Sequence, residues 1–276
     1  MFSKELKSRA EAFSKLHKEK GMFVLPNVWN AGSARIFESR GFKAVATTSA
    51  GIAYALGYPD GEQVGIDDLR LVVSQITKRV KVPVSVDFER GYGDTPEEVK
   101  ANAIKMLEAG AVGFNIEDGI PEEKRLDNLD DLLVKIKALV ELKKEIGIPF
   151  VINARTCVYW LALGNEDERI ETAIARGNAF AEAGADCVFV PGAMDEKNVA
   201  ELAKEIKAPL NIIANPVFHD FKKLEELGVR RLSIGSGAVR ATLAYIDSIG
   251  EDLAKGDIGK MLSHDFSYTK ANEFFA

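Results

Sequence analysis

Three stretches of the chain end in polar side chains two residues apart: Asp87 and Glu89, Asn115 and Glu117, and Asn153 and Arg155. A spacing of two puts both members of a pair on the same face of a strand. If the three stretches are neighbouring strands, three carboxylates and one guanidinium meet at one rim. Carboxylates that close either rise in pKa or recruit a cation. Oxygen donors without His or Cys suit a hard ion, Mg2+ or Mn2+. Arg155 offers a bidentate grip on a carboxylate or phosphate. A strand-end acid can also simply cap a helix or pair with Lys or Arg. Three acids and an arginine together point instead to a site, because perturbed charges cluster where function is. Other polar residues read as structural: Thr48 as a packed strand residue, His219 as a surface histidine, and Cys157 and Cys187 as small core fillers. The GSG at 235–237 suits a phosphate cradle or a tight turn equally well.

The pairs must be held by strands, and the sequence supplies eight short apolar runs: 22–28, 43–49, 82–89, 112–118, 149–155, 186–192, 209–215 and 230–236. Each is nearly continuous in apolar residues, as strands covered on both faces are. Helical patterns separate them. Gly41, Gly110, Gly184 and Gly228 close the helices before four of the runs, and Pro83, Pro149 and Pro209 open three others. Eight alternating β and α units predict a (β/α)8 barrel with its active residues at the C-terminal ends of the strands. An open doubly wound sheet is disfavoured, because AGSAR follows the first run where a glycine-rich dinucleotide loop would stand. One barrel domain over 1–276 is expected, with an N-terminal helix over about 1–20 and a helical extension over about 237–276. Extra terminal helices of this kind predict a homo-oligomer.

Composition narrows the partners. The 276 residues carry 36 Lys and Arg against 42 Asp and Glu, a formal charge of −6. That disfavours nucleic acid and anionic membrane, which call for a basic footprint. No apolar run approaches the roughly 20 residues of a membrane span. Two cysteines and the absence of an apolar leader fit a reducing cytoplasm.

The motifs DFERGYGD (87–94), NIEDG (115–119), NARTC (153–157), TTSAG (47–51), YPDGE (58–62) and LPNVWNAGSAR (25–35) together resemble the isocitrate lyase / phosphoenolpyruvate mutase superfamily, in order over about residues 6–250. The resemblance implies a (β/α)8 barrel with a swapped C-terminal helix, usually a dimer of dimers, and Mg2+ with a small 2-oxo acid. Carried onto this chain, it makes Asp87 the principal metal aspartate, with Glu89 and Glu117 in the metal shell, partly through water. Ser49, Ala50 and Gly51 would hold the substrate carboxylate. Asp87, Asp60 and Asn215 would also face the substrate, and Arg155 would grip the 2-oxo acid end. Arg155 and Glu117 are thereby the catalytic candidates.

The departures shape the expected reaction. The loop after the fourth run reads DGIPEEKRLDNLDD and lacks the Lys-Lys/Arg-Cys-Gly-His motif whose cysteine is the general acid of the family's C–C lyases. Tyr92 or water is left as proton donor. Asn128 is a poor match to the Asn or Thr of phosphonate-acting members, and Pro191-Gly192 replaces a substrate-holding glutamate. The resemblance thus implies an Mg2+-dependent lyase or decarboxylase breaking a bond at C3 of a small 2-oxo or 2-hydroxy acid through a pyruvate-enolate-like intermediate. A P–C bond enzyme and a non-catalytic 2-oxo acid-binding barrel are the alternatives.

Overall fold

The computed structural model describes residues 2–276. Its strands are β1 (Phe23–Leu25), β2 (Asn27–Val28), β3 (Val45–Thr47), β4 (Val84–Asp87), β5 (Gly113–Glu117), β6 (Gly119–Ile120), β7 (Arg125–Leu126), β8 (Val151–Arg155), β9 (Cys187–Val190), β10 (Leu210–Ile213) and β11 (Val229–Ser233). All but β6 and β7 form one parallel sheet in the order β1-β11-β10-β9-β8-β5-β4-β3-β2. The two ends of that order are halves of one run. β1 pairs with β11, β2 pairs with β3, and only Pro26 lies between them. Proline has no N–H to give a ladder, so the first run changes partners there and closes the ring. The result is the (β/α)8 barrel, and each expected run holds its strand.

β6 and β7 are an antiparallel hairpin in the loop after β5. The chain reaches β7 through a short helical turn at Pro121–Glu123 and a left-handed Lys124. Asn128 stands just before the following helix. It caps Leu129–Ile146, accepting a bond from the amide of Asp130.

The strands are largely buried, and their apolar residues share that burial with a polar set that includes Ser85, Asn115, Asn153, Asn211 and Arg231. Helix Lys4–Lys18 packs its Phe13 and His17 beside Phe23, with the ring centres of His17 4.8 Å from Phe13 and 5.0 Å from Phe23. Gly113 opens β5 at this point, and a Cβ there would stand 2.6 Å from the Phe13 ring, so only glycine admits the helix this close.

At the other end of the chain, helix Gly237–Ala254 buries only Val239. Leu243, Tyr245, Ile246 and Leu253 are exposed along it. The final helix, Tyr268–Phe275, lies against this chain's own helix Ala31–Ser39: Arg35 donates to the Phe274 carbonyl at 2.9 Å and stacks on its ring. Among the described residues no helix is long and apolar enough to cross a membrane.

Phe13 is fully buried, so Phe13→Ala should cost about 3–5 kcal/mol of unfolding free energy. Urea denaturation measures this, and a loss below about 1 kcal/mol would show that the N-terminal helix is not integral to the barrel.

Candidate active site

The C-terminal strand ends open into two adjoining cavities that share Ser49, Asp60, Arg155 and Trp160. Their empty space, open to solvent, is about 460 and 580 Å³. The first is also lined by Asn27, Thr48, Ala50, Asp87, Asn115 and the apolar Phe189, Pro191 and Ile213. The second brings in Glu62, Glu89, Arg90, Glu117 and Glu122.

Asp87 ends β4 and is braced on three sides. Its Oδ2 accepts from the Ser49 amide at 3.1 Å and the Ser49 hydroxyl at 3.0 Å, and its Oδ1 accepts from Asn115 Nδ2 at 3.3 Å. Its own amide donates to Thr47 Oγ1 at 2.9 Å. Ser49 stands there because helix Ser49–Leu56 starts at this rim, with Thr48 as its N-cap. Thr48 therefore holds a helix end rather than simply packing in a strand. Its hydroxyl takes the Gly51 amide at 3.3 Å. Of the Ser49, Ala50 and Gly51 amides expected to hold a carboxylate, the first faces Asp87 and the third faces Thr48. Ala50 supplies the first-turn amide that the helix itself leaves unpaired.

Glu117 and Arg155 are opposite each other in the β5–β8 ladder and form an ion pair of 2.6 Å. The Arg155 guanidinium is stacked between Trp160 and Phe189, 5.8 and 5.6 Å from their ring centres. Burial pushes Glu117 up to about 7, against the pull of Arg155 and with added pressure from Asp87.

Glu89 does not sit on the strand. β4 stops at Asp87, and Glu89 follows with a φ of 46°. The alternation that placed it beside Asp87 ends before reaching it, and the turn brings its carboxylate back to the same mouth. Oε2 accepts from the Glu62 amide at 2.7 Å and Oε1 from the Tyr92 hydroxyl at 2.8 Å. Burial and then Asp87 push Glu89 up to about 8. Tyr92 itself is pushed upward by burial and by Glu89. Its proton is held by Glu89, and it lines neither cavity. Asp60, on the loop after β3, faces both cavities and is raised by desolvation and by Asp87.

Asn215 is placed differently from its expectation. It lines neither cavity, and its Oδ1 accepts from the amides of Val217 and Phe218, making it the turn-former after β10. Cys157 and Cys187 are buried thiols pushed upward by burial, Cys187 to about 12, as core fillers should be. Glu62, Asn27 and Trp160 were not singled out from the sequence. None has a spacing signal, since each reaches the mouth from a loop or from the opposite side of the ring.

Among the described residues, no three acidic, histidine or cysteine side chains stand close enough to share an ion directly. The donor set nevertheless fits Mg2+. Asp60, Asp87, Glu89 and Glu117 are among the carboxylates facing the two cavities, and Glu89 and Glu117 are raised by burial and then by repulsion from Asp87. Mg2+ keeps several waters and takes one or two direct carboxylates. Asp87 would be the direct ligand, with Glu89 and Glu117 reached through water.

The family profile for phosphoenolpyruvate phosphomutase matches residues 13–254. The chain belongs to this family. An uncharacterised Mycobacterium tuberculosis protein is 35% identical over 225 residues, 82% of each chain. The 2-methylisocitrate lyase of Aeropyrum pernix is 30% identical over 71% of this chain and 62% of its own. Oxaloacetate decarboxylase 1 of Pseudomonas fluorescens is 27% identical over 82% and 78%. Among solved structures, a Burkholderia cenocepacia protein provisionally described as a lyase/mutase superposes with a TM-score of 0.91 at 32% identity, over 99% of this chain and 98% of that one. A 2,3-dimethylmalate lyase does so with a TM-score of 0.85 at 25% identity, over 97% and 95%. The family of lyases and mutases makes the chain an enzyme, and its barrel is the one these proteins share.

The raised carboxylates carry a stability consequence. An acid with a higher pKa folded than unfolded binds more protons in the folded state, so metal-free stability falls as pH rises from the unfolded value to the folded one. For Glu89 that window runs from about 4.5 to about 8. With chelator present, the thermal midpoint should fall across it, and Glu89→Gln should flatten the fall. An unchanged slope in the variant would contradict the assignment.

Proposed function

We propose that the chain is an Mg2+-dependent lyase or decarboxylase that breaks a bond at C3 of a small 2-oxo or 2-hydroxy acid through a pyruvate-enolate-like intermediate. The observation that carries this is Asp87, braced by Ser49 and Asn115 in the first cavity, with Arg155, which lines both cavities, paired to Glu117 in the second. Support comes from relatives whose names include lyases and a decarboxylase of small acids.

Each residue then has a task. The bound ion would polarise the 2-oxo group. Ser49 and Asn115 fix the Asp87 carboxylate, so it does not reorganise when ligand arrives. The Ala50 amide, at the positive end of a helix, favours the substrate carboxylate. Arg155 keeps its cation beside the cavity, where negative charge grows as the bond breaks; Glu117 and the two rings hold it in place. The apolar wall of Phe189, Pro191 and Ile213 limits the far end to a small group. With Tyr92 donating to Glu89, water is the proton source this arrangement favours.

A panel of oxaloacetate, short alkyl-substituted malates and phosphonopyruvate, assayed with Mg2+ for pyruvate, should show turnover of a carbon acid. Asp87→Asn should lower it by about 100-fold or more, the scale of a lost preorganised charge contact. Turnover of phosphonopyruvate alone would assign the P–C reaction. Oxalate binding with no turnover would assign a binding barrel.

The same reading includes a homo-oligomer, a dimer of dimers in which the terminal helices cross between copies. The exposed apolar side chains of Gly237–Ala254, with Ile258, Leu262 and Tyr268 beyond it, support this. A stable interface of this kind covers roughly 1,200 Å² or more. Sedimentation equilibrium should give a mass well above the monomer's 30.2 kDa, and Ile246→Glu with Leu243→Glu should lower it. A wild-type monomer at micromolar concentration would rule the assembly out.

A further inference from the structure

Two loops at the mouth are clasped through one side chain that the mechanism above does not use. Glu62 lies on the loop after β3, two residues beyond Asp60. Its Oε1 accepts from the backbone amides of Arg90 at 2.9 Å and Tyr92 at 3.2 Å. Its own amide donates to Glu89 Oε2 at 2.7 Å. The two loops thus exchange bonds in both directions, as a capping box does at a helix start. The Arg90 side chain adds only a partly exposed ion pair at 3.5 Å, a contact of small worth in water.

The backbone explains why a clasp is needed. Glu62, Glu89 and Tyr92 adopt φ values of 54°, 46° and 54°. Three of the five left-handed non-glycine residues among those described therefore sit at this one junction. Gly61 and Gly91 are left-handed beside them, at 104° and 96°. Such residues persist only where surrounding contacts over-determine them. From the far side, Asn102 Nδ2 donates to the Tyr92 carbonyl at 2.7 Å, and Lys135 Nζ donates to the carbonyls of Arg90 and Gly93 at 3.2 and 2.9 Å. The outer side is thus fixed by the helices. On the inner side, Glu62 is what ties down the amides of 90 and 92.

We propose that Glu62 is a positioning residue that locks the Asp60 loop to the Glu89–Tyr92 turn and so sets where the Glu89 carboxylate stands. This rests on the reading of Glu89 as part of the ion's shell. The role needs an oxygen acceptor at Oε1 and not a negative charge. A glutamine should serve and an alanine should not.

The test compares Glu62→Gln and Glu62→Ala with wild type, using Mg2+ and oxalate by calorimetry together with hydrogen exchange over residues 88–93. Glu62→Gln should bind within about threefold of wild type and keep the turn protected. Glu62→Ala should lose at least tenfold in affinity and expose the amides of Arg90 and Tyr92, with the barrel strands still protected. Equal loss in both variants would overturn the proposal, because the charge itself would then be acting on the ion. Unchanged exchange in Glu62→Ala would overturn it as well. If wild type binds no Mg2+ and oxalate, the reading of the ion's shell fails; exchange still decides whether Glu62 clasps the turn.

Discussion

Asp60, Asp87, Glu89 and Glu117 crowd the two adjoining cavities around the Arg155 guanidinium, and the surrounding structure answers that imbalance. Asp60, Asp87, Glu89 and Glu117 cannot all be ionised together cheaply, since like charges in a partly buried site repel and each loses hydration. The structure relieves this in three ways. It gives Asp87 three donors, pairs Glu117 with Arg155, and lets Glu89 rise until protonation is within reach of neutral pH. The divalent cation proposed for this site would remove the remaining repulsion. On that proposal, readiness for the ion and metal-free instability would be one property of the same side chains.

Beneath the mouth, a second polar layer keeps this arrangement in register. Asn115 Oδ1 accepts from Asn153 Nδ2 at 2.6 Å and from the fully buried Arg231 at 3.2 Å. With both donors on its oxygen, the amide has only its NH2 to turn toward Asp87. A flipped amide would set oxygen against carboxylate and nitrogen against guanidinium. Among the described residues Arg231 has no carboxylate within ion-pair distance, and burial lowers it to about 10. A barrel interior carrying such a group is specified by polar contacts as much as by apolar filling, and this argues that the layer is retained for the geometry it imposes above it.

What could be read from the sequence follows from periodicity. Strand side chains alternate, so Asn115 with Glu117 and Asn153 with Arg155 were fixed to one face as soon as the runs were recognised as strands, and the ladder then sets Glu117 against Arg155. The ring of eight was equally open to reading, because Gly and Pro punctuate the runs. Glu89 reached the site for a different reason than expected. Its left-handed backbone ends the alternation, and nothing in the residue type of a glutamate announces a positive φ. Glu62 and Trp160 were silent for the same reason, since loop residues carry no period. Asn215 shows the converse: a polar residue after a strand looks like site chemistry, yet an asparagine side chain also ties turns through its own backbone.

The altered pocket wall bears on what the enzyme can discriminate. Pro191 stands where the family resemblance implied a glutamate, and it joins Phe189, Ile213 and Trp160 around the first cavity. The one cation lining that cavity, Arg155, is already paired with Glu117 and enclosed by two rings. A substrate with several carboxylates would bring charges to this wall that no side chain there could neutralise, and the desolvation of each would go uncompensated. The compact acid proposed above, with one carboxylate at the helix start and its 2-oxo group toward Asp87, would avoid that cost. On that proposal shape and charge would select in the same direction: a methylene too many would meet the rings, and a carboxylate too many would meet an apolar surface, where the penalty is far steeper.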